Sequence, residues 1–380
     1  MQSETSTSSG RHTRAEIDLD ALRENVRLLA DSAGDAELWA VVKANAYGHG
    51  SVPCAKAALT AGASGLCVAL TQEAVELRES GIEAPIMVLS EQPIGDIALL
   101  VKHGVICVAY NEHYITALDA ESGRQGTRTL VHLKVDTGMH RVGVGPSDAQ
   151  SRARTIAGLS HLTLDGLMTH LATADDPGHP ATKRQIDEFR KVLHAVKSSA
   201  PHLRHVHVAN SAATLRQLLP EATMVRVGIS MYGLQAGDGV ADLSSSLRAV
   251  MSLVTRASHV QRVRAGEGVS YGLRAVLEHD TNIVTLPLGY ADGVARRSWA
   301  TPARVLLGGK PRRIVGVVTM DQMMVDCGDD EIRIGDEAVI FGRQGNAVVR
   351  VEDWAAALDT ITYEVVCAVS DRVPRVYHGA

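Results

Sequence analysis

The stretch LWAVVKANAYGHGSVPCAKAALTAGASGLCVAL (38–70) shows one repeat of the pattern that decides the fold class. A short apolar run is followed by a polar loop, a helix-like segment and a second apolar run. Strands that alternate with helices predict a parallel sheet, and eight of them predict a closed (β/α)8 barrel. Eight apolar runs occur in the first two thirds of the chain, at 38–43, 65–70, 85–90, 105–110, 129–135, 161–170, 205–210 and 223–228.

The segments between the runs have helical periodicity. TQEAVELRESG (71–81) has apolar positions at helical spacing and ends on a glycine. KRQIDEFRKVLHAVK (183–197) places five apolar residues on one face, namely Ile186, Phe189, Val192, Leu193 and Val196. The alternative, an open doubly wound sheet, is disfavoured because no G-x-G-x-x-G follows the first run.

The pattern changes after about residue 248, where strand-like runs separated by Gly and Asp turns replace the helices. We therefore expect a (β/α)8 barrel over 14–248 and a mostly β domain over 249–380. One short helix is expected around VEDWAAAL (351–358). The early strand AEIDLD (15–20) could pair with either domain. The polar residues 1–13 are expected to be a disordered tail and not a signal peptide, because they lack an apolar core.

Composition excludes several classes of protein. The 380 residues are 45% hydrophobic and 21% charged, and the net charge is −5. No long basic stretch indicates a nucleic-acid or membrane partner, and no run of about 18 apolar residues indicates a membrane span. The five cysteines are odd in number and form no C-x-x-C pair. They favour reduced thiols and a cytoplasmic protein over a disulfide framework.

Candidate site residues lie where barrel strands end, because active sites of such barrels form at the carboxyl ends of the strands. A lysine there, Lys43, can form a Schiff base if desolvation and neighbouring cations lower its pKa, although a solvated rim lysine is the commoner case. Lys134 shares the inward parity of His132 and Asp136, and a buried cation needs a partner. Arg141 suits capture of a carboxylate, or a structural pair with an aspartate.

Further candidates follow the later strands. His170 ends one run and is either a site residue or a core histidine. Asn210 and Ser211 open a helix-like segment, where Ser and free N–H groups suit a phosphate or a plain N-cap. Gly228 and Ile229 follow the eighth run, and phosphate sites in these barrels form from the loops after strands seven and eight. The pair His205–His207 could bind metal, but no third ligand recurs at suitable spacing, so no metal is expected.

Together these stretches resemble the alanine racemases, which are pyridoxal-phosphate enzymes with a barrel followed by a β domain. The similarity covers nearly all of residues 14–377. The motifs that carry it are AVVKANAYGHG, KVDTGMHRVG, THLATAD, ANSAA, RVGISMYG, RAGEGVSYG, LPLGYADGV, VTMDQMMVD and ITYEVVC.

The resemblance implies a role for each matching position. Lys43 would be the Schiff-base lysine and one of two catalytic bases. Tyr271 would be the other base, on the opposite face of the substrate Cα, and would come from the partner subunit of a head-to-tail homodimer. Arg226 would face the pyridine nitrogen, backed by His207, and His170 would link Tyr271 to Arg226. The phosphate would be held by Tyr47, Ser211, Gly228, Ile229 and Tyr363, with Asn210 beside them.

The resemblance also implies the substrate and its path. Arg141 and the Met320 backbone would hold the carboxylate of alanine, and Lys134 matches a position that can be carbamylated. Inversion needs two bases on opposite faces, and the cofactor acts as the electron sink. The product D-alanine would supply peptidoglycan. Tyr290 and Arg296 would line the substrate funnel. The family usually has an Arg at the position of Val317 and often Cys or Ser at that of Thr319, so the charge of the funnel is in doubt.

Three alternatives remain open on the residues alone. A decarboxylase of the same fold class would favour an acidic residue on the ring nitrogen and a Gly-rich phosphate loop, whereas this chain has Arg226. A non-catalytic cofactor carrier would be a single barrel, without residues 249–380 and without Tyr271. The last alternative is a barrel that binds no cofactor.

Overall fold

The computed structural model describes residues 10–200, 202–218 and 221–379 and divides into two compact units. One unit comprises Asp20–Arg248, and the other combines the chain up to Leu19 with the chain from Ala249 onward. Among the described residues, every helix is too short or too polar to cross a bilayer.

The first strand, β1 (Arg14–Asp18), belongs to the second unit and not to the barrel. It pairs antiparallel with the strand at 251–256 and parallel with the strand at 375–378. The sequence left the partner of this strand open between the two domains; it pairs within the second unit, although 14–19 were counted with the barrel. The expected tail is also too long, because the side chain of Thr13 is buried and its hydroxyl lies 2.8 Å from that of Thr255. Residues 1–9 of that tail lie outside the described residues.

The first unit is the barrel, as predicted. All eight apolar runs form strands, and their residues are mostly buried on both faces, as in a sheet covered by helices. The strands are β2 (Glu37–Val41), β3 (Gly65–Val68), β4 (Ile86–Val88), β5 (Ile106–Ala109), β6 (Thr129–Lys134), β7 (Leu162–Met168), β8 (His205–His207) and β9 (Met224–Val227).

All of these strands are parallel, and their order around the sheet is β8-β7-β6-β5-β4-β3-β2-β9. β9 pairs with β2, so that Trp39 lies opposite Arg226. The remaining gap between β8 and β9 is bridged by backbone hydrogen bonds, in which Thr223 N donates to Val206 O and Arg226 N donates to Ala209 O, each at 3.0 Å. The carboxyl ends of all eight strands therefore meet at one mouth.

The helices of this unit surround the sheet. In α8 the five apolar residues named above are all buried, and Pro180 occupies the first turn, where its missing N–H costs nothing. The helices are α1 (Leu19–Ala33), α2 (Lys43–Tyr47), α3 (Ser51–Thr60), α4 (Thr71–Glu79), α5 (Ile97–Lys102), α6 (Glu112–Arg124), α7 (Ala149–Gly158), α8 (Pro180–Lys197) and α9 (Ser211–Leu215).

The second unit is mostly β, as predicted. Its main sheet has the order β11-β14-β17-β16-β15-β18-β10-β1-β20, β19 pairs with β18, and β12 and β13 form a separate hairpin. The strands are β10 (Met251–Arg256), β11 (His259–Val263), β12 (Gly268–Val269), β13 (Ala275–Val276), β14 (Thr281–Leu286), β15 (Arg304–Leu307), β16 (Lys310–Ile314), β17 (Met323–Asp326), β18 (Glu337–Gln344), β19 (Ala347–Val349) and β20 (Arg375–His378).

Two helices accompany this sheet. α10 (Val351–Leu358) is the predicted one, and its Trp354 donates to the Ile340 carbonyl at 2.7 Å. α11 (Thr362–Cys367) was not predicted. It has six residues rich in β-branched types, so neither periodicity nor propensity indicates a helix there.

Candidate active site

Lys43 opens a left-handed turn at the barrel mouth. The next four residues, 44–47, all have φ between 51° and 53°. This conformation costs roughly 1–2 kcal/mol for each residue with a Cβ. Two side chains hold it: Glu73 accepts from Ala44 N at 2.6 Å, and Asn45 accepts from Ser51 N at 2.8 Å. Such backbone strain is concentrated at functional sites, so the end of β2 is a candidate for one.

The turn brings Tyr47 to the loop after β9. A Cβ built on Gly228 would lie 2.5 Å from the Tyr47 hydroxyl, so only glycine fits there. The ring of Tyr47 lies 5.1 Å from that of Tyr232, whose hydroxyl donates to Val41 O at 3.0 Å. The loop and the turn are therefore locked together.

Ser211 lies against the same loop. Its Oγ accepts from Gly228 N at 3.0 Å and from Ser230 N at 3.4 Å. Hydroxyls and backbone N–H groups gathered in this way suit a phosphate. The sequence allowed either a phosphate contact or an N-cap for Asn210 and Ser211. Asn210 is the N-cap of α9, because its side chain accepts a hydrogen bond from Ala213 N.

Arg226 lies buried on β9, next to the strand that ends in Lys43. Its Nη1 donates to His207 Nδ1 at 2.7 Å, and its Nη2 donates to His170 Nδ1 at 3.1 Å and to the Thr169 carbonyl at 3.0 Å. Burial lowers the pKa of Arg226 to about 10, so the guanidinium stays charged at neutral pH. The group is fixed in position and acts only as a donor.

The mouth is strongly cationic. Burial and the nearby charges of Arg226, Arg141, Lys134 and Lys43, in that order, lower the pKa of His170 well below its usual value. Burial, together with the charges of Arg226, Arg141 and Lys43, lowers the pKa of Lys134 to about 8. Four cations at one mouth predict an anionic ligand.

Arg141 is exposed in the loop after β6, and it lines a small cavity with Lys134 and His170. Asp136 Oδ1 accepts instead from the N–H groups of Gly138, Met139 and His140 in its own loop. Among the described residues, no hydrogen bond joins Arg141 to an aspartate as a structural pair would. Asp136 instead caps its own loop.

The sequence missed two residues in the barrel interior. His132 lies 2.8 Å from His207, and Asp165 lies 3.4 Å from His132, counted between their nearest polar side-chain atoms. Asp165, His132 and His205 form a set of three metal-type ligands whose atoms lie within 4.8 Å of one another. This set includes His205 but not His207, and its other two members come from β6 and β7. The signal available was a carboxylate inside the apolar run LTLDGLM.

The second unit holds the remaining candidates. Tyr271 lies in the turn of the β12–β13 hairpin and is 71% exposed. Met320 and Tyr290 are also exposed, and Ala291 N donates to the Met320 carbonyl at 3.1 Å. Arg296 is exposed in a 3₁₀ turn, and Tyr363 lies in α11.

The two positions that depart from the family pattern are structural here. Val317 is buried, and its carbonyl accepts from Ser270 Oγ at 2.7 Å. Thr319 closes a turn with Gln322, in which Thr319 Oγ1 donates to the Gln322 carbonyl at 3.0 Å. Neither side chain supplies a charge.

Comparison with known proteins identifies the class. Residues 17–236 match the family model of the alanine racemase N-terminal domain, and residues 250–377 match that of the C-terminal domain. With the barrel, the β unit and the lysine turn, these matches define an amino-acid racemase, an isomerase of the pyridoxal-phosphate-dependent class.

Full-length relatives narrow the class to one family. The alanine racemase of Symbiobacterium thermophilum is 43% identical over 97% of this chain and 98% of its own. The alanine racemase structure from Streptomyces lavendulae has a TM-score of 0.93 at 39% identity and covers 98% of each chain. That from Bacillus anthracis, with bound L-Ala-P, has a TM-score of 0.90 at 36% identity over 97% of this chain and 95% of its own. The chain belongs to the alanine racemase family.

Proposed function

We propose that the protein interconverts L- and D-alanine, with pyridoxal 5′-phosphate held by Lys43. The observation that carries the proposal is Arg226, a buried guanidinium fixed by two histidines on the strand next to Lys43. The alanine racemase names of the full-length relatives support alanine as substrate. The L-Ala-P bound to the Bacillus anthracis relative is consistent with a small amino-acid substrate.

The barrel residues fit this cofactor. The hydroxyls of Tyr47 and Ser211 and the backbone of Gly228 and Ile229 would hold its phosphate, in a loop where a Cβ on Gly228 has no room. Lys43 would hold it covalently through Nζ. Tyr363 would also contact the phosphate, with Asn210 beside it as the N-cap of α9.

Arg226 would set the electronic state of the cofactor. When bound, the cofactor supplies an electron sink that allows the substrate α-proton to leave. An Arg that keeps its own proton leaves the pyridine nitrogen unprotonated, which weakens that sink. This limits decarboxylation and transamination and favours simple return of the proton. A decarboxylase would place an acidic group in this position, so Arg226 argues against that alternative.

Two bases would move the proton, one on each face of the Cα. Lys43 Nζ serves one face, and the partner subunit's Tyr271 serves the other. His170 is suited to orient that tyrosine. Its Nδ1 accepts from Arg226, so the proton of the neutral ring lies on Nε2 and can be donated to a phenolic oxygen.

Arg141 would bind the substrate carboxylate, together with the backbone of Met320. Lys134 would carry a carbamate, formed when its neutral amine adds to carbon dioxide and releases one proton. The lowered pKa of Lys134 supports this, because the neutral amine is the reactive form. The product changes a repelling cation into an anion that pairs with Arg141. Tyr290 and Arg296 are proposed to line the substrate funnel.

The enzyme would act as a homodimer that shares its two active sites. The hairpin that carries Tyr271 exposes three large apolar side chains, Tyr271, Leu273 and Val276, at 71%, 63% and 61%. Such an apolar projection indicates an interface. We place the enzyme in the cytoplasm, where it would supply D-alanine for peptidoglycan.

Reduction and isotope exchange test the proposal. Protein incubated with pyridoxal phosphate and then with borohydride is expected to carry the reduced cofactor on Lys43, and Lys43→Arg is expected to carry none. L-Alanine in D2O is expected to give D-alanine deuterated at Cα. Failure to take up the cofactor would refute the assignment of the site. Release of carbon dioxide would identify a decarboxylase instead.

A further inference from the structure

A row of buried polar side chains runs through the barrel interior away from Arg226. It passes from Arg226 on β9 to His207 on β8, then to His132 on β6 and to Asp165 on β7. The distances between successive polar atoms are 2.7, 2.8 and 3.4 Å. His132 and His207 are fully buried, and Asp165 is 9% exposed. The row thus joins the site to the barrel interior.

Room for this row is built into the backbone. Gly166 on β7 lies opposite His132 on β6, and the register of the two strands shifts just before this pair. A Cβ on Gly166 would lie 2.6 Å from His132 Cγ. The His132 imidazole therefore packs directly on the backbone of β7. Any side chain at position 166 would overlap with the ring, so this position requires glycine.

The direction of every proton in the row follows from Arg226. A guanidinium has donors only, so His207 Nδ1 must accept. Burial, and then the charge of Arg226, lower the pKa of His207 well below its usual value, so its ring is neutral. A neutral ring with a bare Nδ1 carries its proton on Nε2. His207 therefore donates from Nε2 to His132 Nδ1.

The same logic continues to Asp165. Burial lowers the pKa of His132, whose neutral ring accepts at Nδ1 and so carries its proton on Nε2. That proton points at Asp165 Oδ2, 3.4 Å away. Burial alone would raise the pKa of Asp165, but the hydrogen bond and charge of His132, with His205 and Arg204, outweigh it and lower the pKa. The row ends on a carboxylate, which can only accept.

We propose that Asp165 and His132 are positioning residues that hold His207 in the Nε2–H tautomer and thereby fix Arg226. A donor-only group at one end and an acceptor-only group at the other allow a single arrangement of protons. Reversal of either histidine would place two donors or two acceptors against each other. The inference rests on the proposed function for one step, namely that Arg226 faces the ring nitrogen.

The alternative function of these residues is a metal site formed by His132, Asp165 and His205. The spacing allows it, since the three ligand atoms lie within 4.8 Å of one another. A metal on His132 Nε2 would, however, displace that proton to Nδ1, where it would oppose the proton on His207 Nε2. The metal and the bond from Arg226 to His207 therefore exclude each other.

Nitrogen NMR of the imidazoles tests the row. In ¹⁵N-histidine-labelled protein, before and after cofactor loading, His132 and His207 are expected to be neutral with the proton on Nε2 between pH 6 and 8. The resonances are assigned from the single variants H132N and H207N. A proton on Nδ1 of either ring in the wild type would refute the inference, even if no variant folds. Because this reading needs no cofactor, it stands or falls independently of the proposed function.

Asp165→Asn tests the control over Arg226. An amide can donate as well as accept, so the row can also run in the reverse direction, in which His207 Nδ1 carries the proton and the bond from Arg226 is lost. The His132 and His207 signals are therefore expected to show a fraction of the second tautomer. In the loaded enzyme kcat is expected to fall about 10-fold or more, with KM little changed and the absorption spectrum of the cofactor shifted. His205→Asn is the matched control, because His205 also lies near Asp165, at 3.6 Å, but outside the row. An equal effect of both variants would indicate a merely structural role and overturn the proposal.

Zinc titration distinguishes the hydrogen-bonded row from the alternative metal site. The wild-type protein is expected to bind no zinc through these residues, so zinc should leave the His132 and His207 signals unchanged. Zinc binding that is lost in His205→Asn, together with a shift of the His132 proton to Nδ1, would establish the metal site and refute the row.

Discussion

Lys134 offers the sharpest quantitative prediction at the barrel mouth. Its pKa is lowered from an ordinary 10.5 to about 8 by burial and by Arg226, Arg141 and Lys43. At pH 8 about half of Lys134 is then the neutral amine, against about 0.3% for an ordinary lysine. The reactive form is therefore more abundant by roughly 150-fold. We expect Lys134 to react with carbon dioxide under conditions in which surface lysines do not.

The assay is ¹³C NMR of the protein in ¹³C-bicarbonate at pH 8. We expect a carbamate resonance that the wild type shares with Lys56→Met, which removes an exposed lysine on α3, and that is missing from Lys134→Met. The α-amino group, whose ordinary pKa is about 8, is expected to add a second carbamate resonance to all three proteins. The Lys134 resonance should weaken as the pH falls below 8, because the amine is then protonated.

Steady-state kinetics give a second test of the carbamate, because its formation changes the charge of Lys134 from positive to negative. A carbamate at position 134 would pair with Arg141, so Lys134→Met is expected to raise KM for alanine more than it lowers kcat. If the wild type and Lys134→Met give the same set of carbamate resonances, the reasoning about the cationic mouth is refuted.

Three further predictions follow from other parts of the molecule. Tyr271→Phe should retain the cofactor, as judged by absorbance, but lose α-deuterium exchange from one enantiomer of alanine, and normal racemisation by this variant would disprove the two-base assignment. Gly289→Ala should lower the free energy of unfolding by about 1–3 kcal/mol, because its Cβ would lie 2.5 Å from the Met320 carbonyl oxygen. Gly95→Ala is the control: its Cβ meets nothing within 4 Å, so it should shift the melting temperature little. Burial lowers the pKa of His170 and His207 in the folded state only, so the unfolded chain binds more protons below pH 6.5. The free energy of unfolding should therefore fall as the pH falls below 6.5, by up to about 1.4 kcal/mol per pH unit for each ring. A urea midpoint that stays constant from pH 8 to 5 would contradict this.

The sequence predicted the barrel because its signal is local. Each strand needs only a short apolar run, and each helix needs only an apolar face, as in KRQIDEFRKVLHAVK. The same rules failed for α11, which is too short to show periodicity. They also left the partner of β1 open, since its pairing with β10 and β20 involves residues hundreds of positions away.

The site divides in the same way. Sequence alone places Lys43 at a strand end and the glycine of RVGIS in the loop after the eighth strand, because parallel strands bring their carboxyl ends to one mouth. The left-handed turn of 44–47 could not be foreseen, because none of those four residues is a glycine. Tertiary contacts from Glu73 and Asn45 stabilise it instead.

The row from Arg226 to Asp165 depends still more on tertiary structure. Its members come from four strands, and no spacing in the sequence relates His132 to His207 or to Asp165. The order of residues is enough to define the set of barrel strands and the chemical type of each residue at their ends. Only the folded barrel decides which buried donor meets which acceptor, because a hydrogen bond depends on distances of about 3 Å, and closure of the sheet alone sets those distances.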